Sequence, residues 1–386
     1  MKKTLLLLLL GCAAHSSFAQ QWEPYNELGD FYPSLAIATM HINAHDDDDK
    51  TSLGDPNGIL GIQLHTTQPN TSITVELSCS GGIRLFDKAS VTVKAPKANS
   101  DYSVTPTIPY FEDKLAGIKQ TQSTYITYRV TINGKKEPDR TERLLVHPIN
   151  ICPFGYSDEK DNFESIDWMF AAYVNEDHPQ VEKILKTALE RKYVDAFLGY
   201  QGEAIDVYKQ VMAVWRVLQE RGIRYSDITT TVADREEVAS QHVRLIDESI
   251  NNTQANCVDG SVLFASILRK IGIEPILVTV PGHMFVGFDV DSEHKKQAYL
   301  ETTMLGAKPG EFQVKDTPLA RLLLGNPATK NTSRVDMERF VAALQTGNQT
   351  YAENKQGLDK EQDNYSKMRV SEARQLGILP IMYVSK

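Results

Sequence analysis

Cys257, His283 and Glu301 are the residues whose types and order could do covalent chemistry in this chain. Cys257 stands in Asn256-Cys257-Val258-Asp259-Gly260-Ser261, directly before the mostly apolar run from Val262 to Ile271. Val262, Leu263, Ser266, Ile267 and Leu268 recur at helical spacing, and Gly272 with Pro275 ends the run. Asn256 has the side chain of an N-cap, which sets Cys257 in the first turn. The unpaired N–H groups and the positive dipole end there stabilise a thiolate, the nucleophilic form of cysteine. Beyond the helix the spacing predicts a strand over Ile276–Val280, a turn at Pro281-Gly282, a second strand over Met284–Val290 opened by His283, and a third over Tyr299–Thr302 carrying Glu301. Neighbouring antiparallel strands can present His283 and Glu301 side by side on one face. If that sheet packs on the Cys257 helix, thiol, imidazole and carboxylate converge as nucleophile, base and orienting acid.

Plainer roles compete for each residue. A lone cysteine on a helix is normally core, and a lone histidine on a strand is normally structural. A zinc site built on Cys257 and His283 lacks a second Cys or His at ligand spacing. Gln254 could donate to an oxyanion together with the backbone N–H of Cys257, or simply face solvent. Asp259 and Ser261 are expected to stabilise the first helical turn rather than to react. His178, before Pro179, and His242, on a stretch read as helical, are expected at the surface or as caps.

The run NCVDGSVLFASILRKIGIEP, then PGHMFVGF, then YLETTM resembles the core of the transglutaminase-like superfamily, a papain-like thiol fold. The family order is cysteine at a helix start, then histidine and an acid on successive strands. By that resemblance Cys257 matches the nucleophile, His283 the base and Glu301 the acid. The usual acid is Asp, so Glu301 departs from the pattern. The resemblance implies acyl transfer on a protein or peptide carboxamide: a cysteine peptidase or amidase if water accepts the acyl group, a protein-glutamine acyltransferase if an amine does. Some members of the superfamily bind or scaffold without catalysing, usually after losing triad residues; here all three positions are filled.

The rest of the chain has two periods. From Thr39 to Phe154 short segments rich in Val, Ile, Thr and Tyr alternate with turn clusters such as Asp55-Pro56-Asn57-Gly58 and Asn133-Gly134. They predict strands over Thr39–His45, Ile59–His65, Ser72–Ser78, Ser90–Lys94, Thr124–Ile132 and Arg143–Ile149, as in an all-β sandwich of immunoglobulin size. After the polar junction Gly155–Phe163 the period becomes helical. Pro179 opens one helix with Val181, Ile184, Leu185, Ala188 and Leu189 on its face. Ile205, Tyr208, Met212 and Trp215 line another that Gly222 ends. The expected class is α+β: a signal peptide over 1–19, a tether over 20–38, an immunoglobulin-like β-sandwich over 39–154, and a transglutaminase-like α+β domain over 155–386 with its core at about 200–305.

Lys2 and Lys3, the apolar run Leu5–Leu10 and the small-x-small sequence Ser17-Phe18-Ala19 form a secretory signal, which predicts a periplasmic or extracellular protein. Cys12 after Leu-Leu-Gly resembles a lipobox and offers a lipid anchor instead. No other stretch approaches membrane-spanning length. Of 386 residues 41% are hydrophobic and 24% charged, with a net charge of -9. No Lys/Arg cluster could track phosphates, so nucleic acid is not an expected partner. No phosphate loop, CxxC pair or calcium loop is present, so no cofactor is expected, and the acidic run Asp46–Asp49 lacks spaced ligands. In an exported chain Cys79 and Cys152 could bridge within the strand-rich half or stay as buried thiols, and Cys257 stands alone.

Overall fold

The computed structural model describes residues 22–42, 51–157, 162–228, 237–325 and 333–384. The signal segment, Cys12 and Asp46–Asp49 lie outside the described residues. The fold is mixed α+β with several sheets. Among the described residues no helix is long and apolar enough to cross a membrane.

Two sheets fill the first half. One orders the strands Trp22–Asn26, Leu60–Thr66, Ser100–Thr105 and Ser52–Gly54. The other orders Lys88–Ala95, Thr71–Ser80 and Gln122–Ile132, with Lys135–Lys136 and Arg140–Val146 both paired to the last of these. Thr71–Ser80 alternates buried and open residues throughout, so one face of its sheet meets the core. Four of the expected strands thus form close to their expected bounds, while the last shifts a few residues toward the N-terminus.

Three expectations for this half need correction. The supposed tether is a strand followed by a helix, Pro33–Thr39, whose seven residues are all buried. Pro33 supplies a helix-ready φ at the first turn, and the apolar Leu35, Ala36, Ile37 and Ala38 leave no polar face for solvent. Thr39 therefore ends a helix instead of opening a strand. The boundary near residue 154 is also crossed: strand Ile151–Ser157 pairs with Val238–His242 of the second half, and one apolar core runs through both halves. Finally, Cys79 and Cys152 are free and buried. The Cys79 sulfur contacts the Thr124 hydroxyl at 3.3 Å and accepts from the Leu85 N–H at 3.4 Å, whereas Cys152 lies on a strand of a different sheet, paired with the second half.

The second half centres on helix Cys257–Lys270 and a four-stranded antiparallel sheet ordered Gln297–Leu300, His283–Asp289, Pro275–Val280 and Ser366–Arg369. Met284, Val286 and Phe288 join the large core with Leu263 and Ile267 of the helix. On the other parity, Phe285, Tyr299, Ile276 and Val278 form a second cluster with Leu358 and Tyr351 of the long helix Arg334–Asp359. Gly347 lets that helix lie against the sheet, since a β-carbon there would come within 2.6 Å of the Tyr299 backbone. The helices at Pro179–Glu190 and Ala204–Glu220 form as the apolar stripes predict, and Gly222 takes φ +75° just past the second. His178 caps the first, accepting from the Gln180 N–H, but it is buried, not on the surface. His242 ends a strand, not a helical stretch.

Candidate functional site

Cys257 is the first residue of its helix and is half-buried. The turn before it is fixed from several sides. Asn256 accepts from the Asp259 N–H at 2.8 Å, and Asp259 accepts from the Asn256 N–H at 2.9 Å, closing a reciprocal cap. Asp259 is fully buried and also accepts from the Arg244 backbone N–H at 2.7 Å and from its guanidinium at 2.6 Å. Burial pushes the Asp259 carboxyl up in proton affinity, against the pull of these donors. Ser261 donates back to the Cys257 carbonyl at 2.7 Å. Asp259 and Ser261 thus act on the first helical turn, as their positions suggest.

His283 opens its strand immediately after Gly282, which takes φ +73° in the turn. Register pairs Val286 with Leu300. Carried one step further, it sets Glu301 across from Phe285, the next residue on His283's parity. Glu301 lies one position past the strand Gln297–Leu300 and caps the 3-10 turn Thr302–Met304, so the expected third strand ends earlier than Thr302. The reason is local: the Glu301 carboxylate accepts from both the N–H and the hydroxyl of Thr303, at 3.1 and 2.6 Å, which turns the chain out of the ladder. The backbone N–H of Glu301 donates to Ala343 of the long helix at 3.1 Å.

The two side chains meet. His283 Nε2 lies 2.7 Å from Glu301 Oε2, and only 6% of the Glu301 side chain is exposed against 29% for His283. His283 is pushed up to about 10, first by a hydrogen bond with the Cys257 sulfur, then by the hydrogen bond and charge of Glu301, against its partial burial. Burial alone would raise the Glu301 carboxyl, but the bonds from His283 and Thr303 and the imidazolium charge hold it below the usual range. With Nε2 engaged by Glu301, the ring has Nδ1 left for the sulfur. Gly260 permits this approach: a β-carbon there would lie 2.6 Å from the Thr302 hydroxyl and 2.9 Å from its β-carbon.

A cavity of about 140 Å³ opens beside the thiol and the imidazole. Gln241, on the strand Val238–His242, lines it, and its amide has no partner among the described residues. Gln254 is not among the lining residues; it sits on the two-residue strand Gln254–Ala255 paired in parallel with Arg224–Tyr225. Sequence spacing pointed to Gln254 because it is close to Cys257 along the chain. Gln241 is brought there by the pairing of its strand with Ile151–Ser157, which local spacing does not reveal. Tyr225 stands exposed near the site, its phenol raised by burial first and then by the charges of Cys257, Asp227 and Glu301. Among the described residues no group of three or more His, Cys, Asp or Glu could hold a metal ion.

Chemically the arrangement joins a thiol at a helix start to an imidazole whose other nitrogen is anchored on a buried carboxylate. Those parts can hold a thiolate–imidazolium pair and pass a proton between sulfur and a bound group. No protein-family model matches the chain, and no curated protein matches it.

Proposed function

We propose that this protein is an exported thiol enzyme of the transglutaminase-like kind, in which an immunoglobulin-like β-half precedes the catalytic half. The observation that carries the reading is the set Cys257, His283 and Glu301: His283 bonds Glu301 at 2.7 Å, lines one cavity with Cys257, and is held up in proton affinity first by the Cys257 sulfur. The Cys257 thiolate attacks a carboxamide or peptide carbonyl, forming a C–S bond. The carbonyl oxygen takes the negative charge, which the N–H groups at the helix start and the Gln241 amide stabilise. Collapse expels the amine, which takes the proton held by His283, and leaves a thioester on Cys257. Water or a second amine then attacks the thioester carbon, the C–S bond breaks, and its proton returns to the imidazole–thiolate pair. Glu301 holds the ring orientation and stabilises the imidazolium throughout.

The acceptor decides between hydrolysis and cross-linking, and hydrolysis is the reading preferred here. The test is a screen of casein, cell-wall peptides and dansyl-cadaverine incorporation into casein, run against Cys257→Ala. Turnover lost in Cys257→Ala supports the reading. Turnover that survives Cys257→Ala, or its absence on every substrate of the screen, removes it.

A further inference from the structure

The cavity beside the thiol contains a carboxylate that the acyl-transfer chemistry does not use. Asp167 heads the 3-10 turn Asp167–Tyr173 and lines the cavity together with Phe154, Phe170 and Gln241. The Asp167 N–H donates to the Ser165 hydroxyl at 3.4 Å, and the hydroxyls of Ser366 and Ser165 with the Trp168 N–H favour the ionised carboxyl against its burial, yet Oδ2 is buried with no hydrogen-bond partner among the described residues. A buried carboxylate oxygen left without a donor costs free energy that a ligand's N–H could recover. Next to it, the rings of Phe154 and Phe170 stack with centroids 5.9 Å apart and planes 24° apart. An acid and aromatic rings lining one cavity form a setting that attracts an organic cation, through charge and through the ring quadrupoles. The charges agree. Among the described residues no Lys or Arg lines the cavity, and Asp167 is the acidic residue of its lining.

We infer that this cavity is a specificity pocket for a cationic alkyl side chain of the substrate, its ammonium or guanidinium head bonded to Asp167 Oδ2 and its stem lying along Phe154 and Phe170. The inference rests on the proposed acyl-transfer reading in placing the substrate beside Cys257. A substrate presenting a lysine- or arginine-like side chain next to the reacting carbonyl would set that head against the carboxylate while the carbonyl meets the thiol. Burial raises the Asp167 carboxyl in proton affinity, so an arriving cation also offsets the cost of keeping it ionised.

The experiment compares labelling of Cys257, located by peptide mapping of the full chain, by cationic 2-aminoethyl methanethiosulfonate and by neutral methyl methanethiosulfonate. In the wild type the cationic reagent should be favoured, and Asp167→Asn should lower the cationic-to-neutral rate ratio about tenfold. The neutral rate itself should be nearly unchanged. A ratio equal in wild type and Asp167→Asn overturns the inference. A second arm needs no variant: n-butylammonium should protect wild-type Cys257 from the neutral reagent at lower concentration than n-butanol. Equal protection by the two also overturns it. The acyl-transfer reading fails separately, if Cys257 labels no faster with the neutral reagent than an ordinary thiol and His283→Ala makes no difference.

Discussion

Gly260 and Thr302 meet so closely that no β-carbon fits between the Cys257 helix and the turn that Glu301 caps. The contact sets how near the thiol's helix comes to the acid that holds His283. The site's geometry therefore depends on a residue with no functional group.

Gly260→Ala should push the helix and the Thr302 turn apart by a few tenths of an ångström or more. Overpacking of this kind costs about 1–3 kcal/mol of stability. Acyl transfer should also slow, by about tenfold or more, because small misplacements of reacting groups are expensive. Ester turnover and urea unfolding measured on the same variant separate the two effects. An unchanged rate with normal stability would mean that the contact does not set the site.

The buried pair Arg244–Asp259 fixes the turn that carries Cys257. Arg244→Met removes one partner and strands the other carboxylate, at a cost of about 3–5 kcal/mol. Burial already raises the proton affinity of Asp259, and losing Arg244 raises it further. A group whose folded value is raised favours the folded state as pH falls through that value. The Arg244→Met deficit should therefore shrink on acidification. Denaturant melts of wild type and variant at several pH values check this, and a deficit independent of pH would contradict it.

His283 supplies the pH dependence. Its folded value of about 10 lies above the ordinary imidazole value of about 6.5. The stability it contributes is thus complete below about 6.5 and is lost as pH rises through about 10. Activity that needs the imidazolium should show its alkaline limb in the same region. Glu301→Gln keeps the shape but removes the charge, so the alkaline limb should move to lower pH and the rate should fall. If Glu301→Gln and Glu301→Ala both leave rate and profile unchanged, Glu301 is not the acid of the site.

Gln241 and Gln254 are distinguished by one substitution each. Gln241→Ala should slow acylation by about 100- to 1000-fold if its amide donates to the oxyanion. Alkylation of Cys257 by iodoacetamide, which forms no oxyanion, should be unaffected. Gln254→Ala should change neither. The opposite pattern would return the role to the nearer residue in sequence.

The sequence made the local parts of this site legible and left its long-range parts hidden. Asn256, Gly272 and Gly282 mark a cap, a helix stop and a turn through chemistry that acts over a few residues, and the helix and strands form where those marks predict. Glu301 was legible as the acid's position, but not as a cap, because Thr303 recruits its second oxygen only once the strand ends. Gln241 and Asp167 were not legible. Each reaches the cavity through a pairing or turn fixed by the strand Ile151–Ser157, whose partner is some ninety residues away at Val238–His242. The free state of Cys79 and Cys152 is a similar case. Compartment and parity of count suggested a bridge, while the chain leaves the sheet that holds Cys79 after Val146 and pairs from Ile151 with the second half, which determines where Cys152 goes.

The central claim is that Cys257 becomes acylated with the help of His283. Its most direct test is mass spectrometry of the full chain mixed with p-nitrophenyl acetate at neutral pH and quenched in acid. The account predicts one acetyl group, mapped to Cys257, forming with a burst of nitrophenolate, missing in Cys257→Ala and much slower in His283→Ala. Acetylation absent from Cys257, or equally fast without His283, would contradict it.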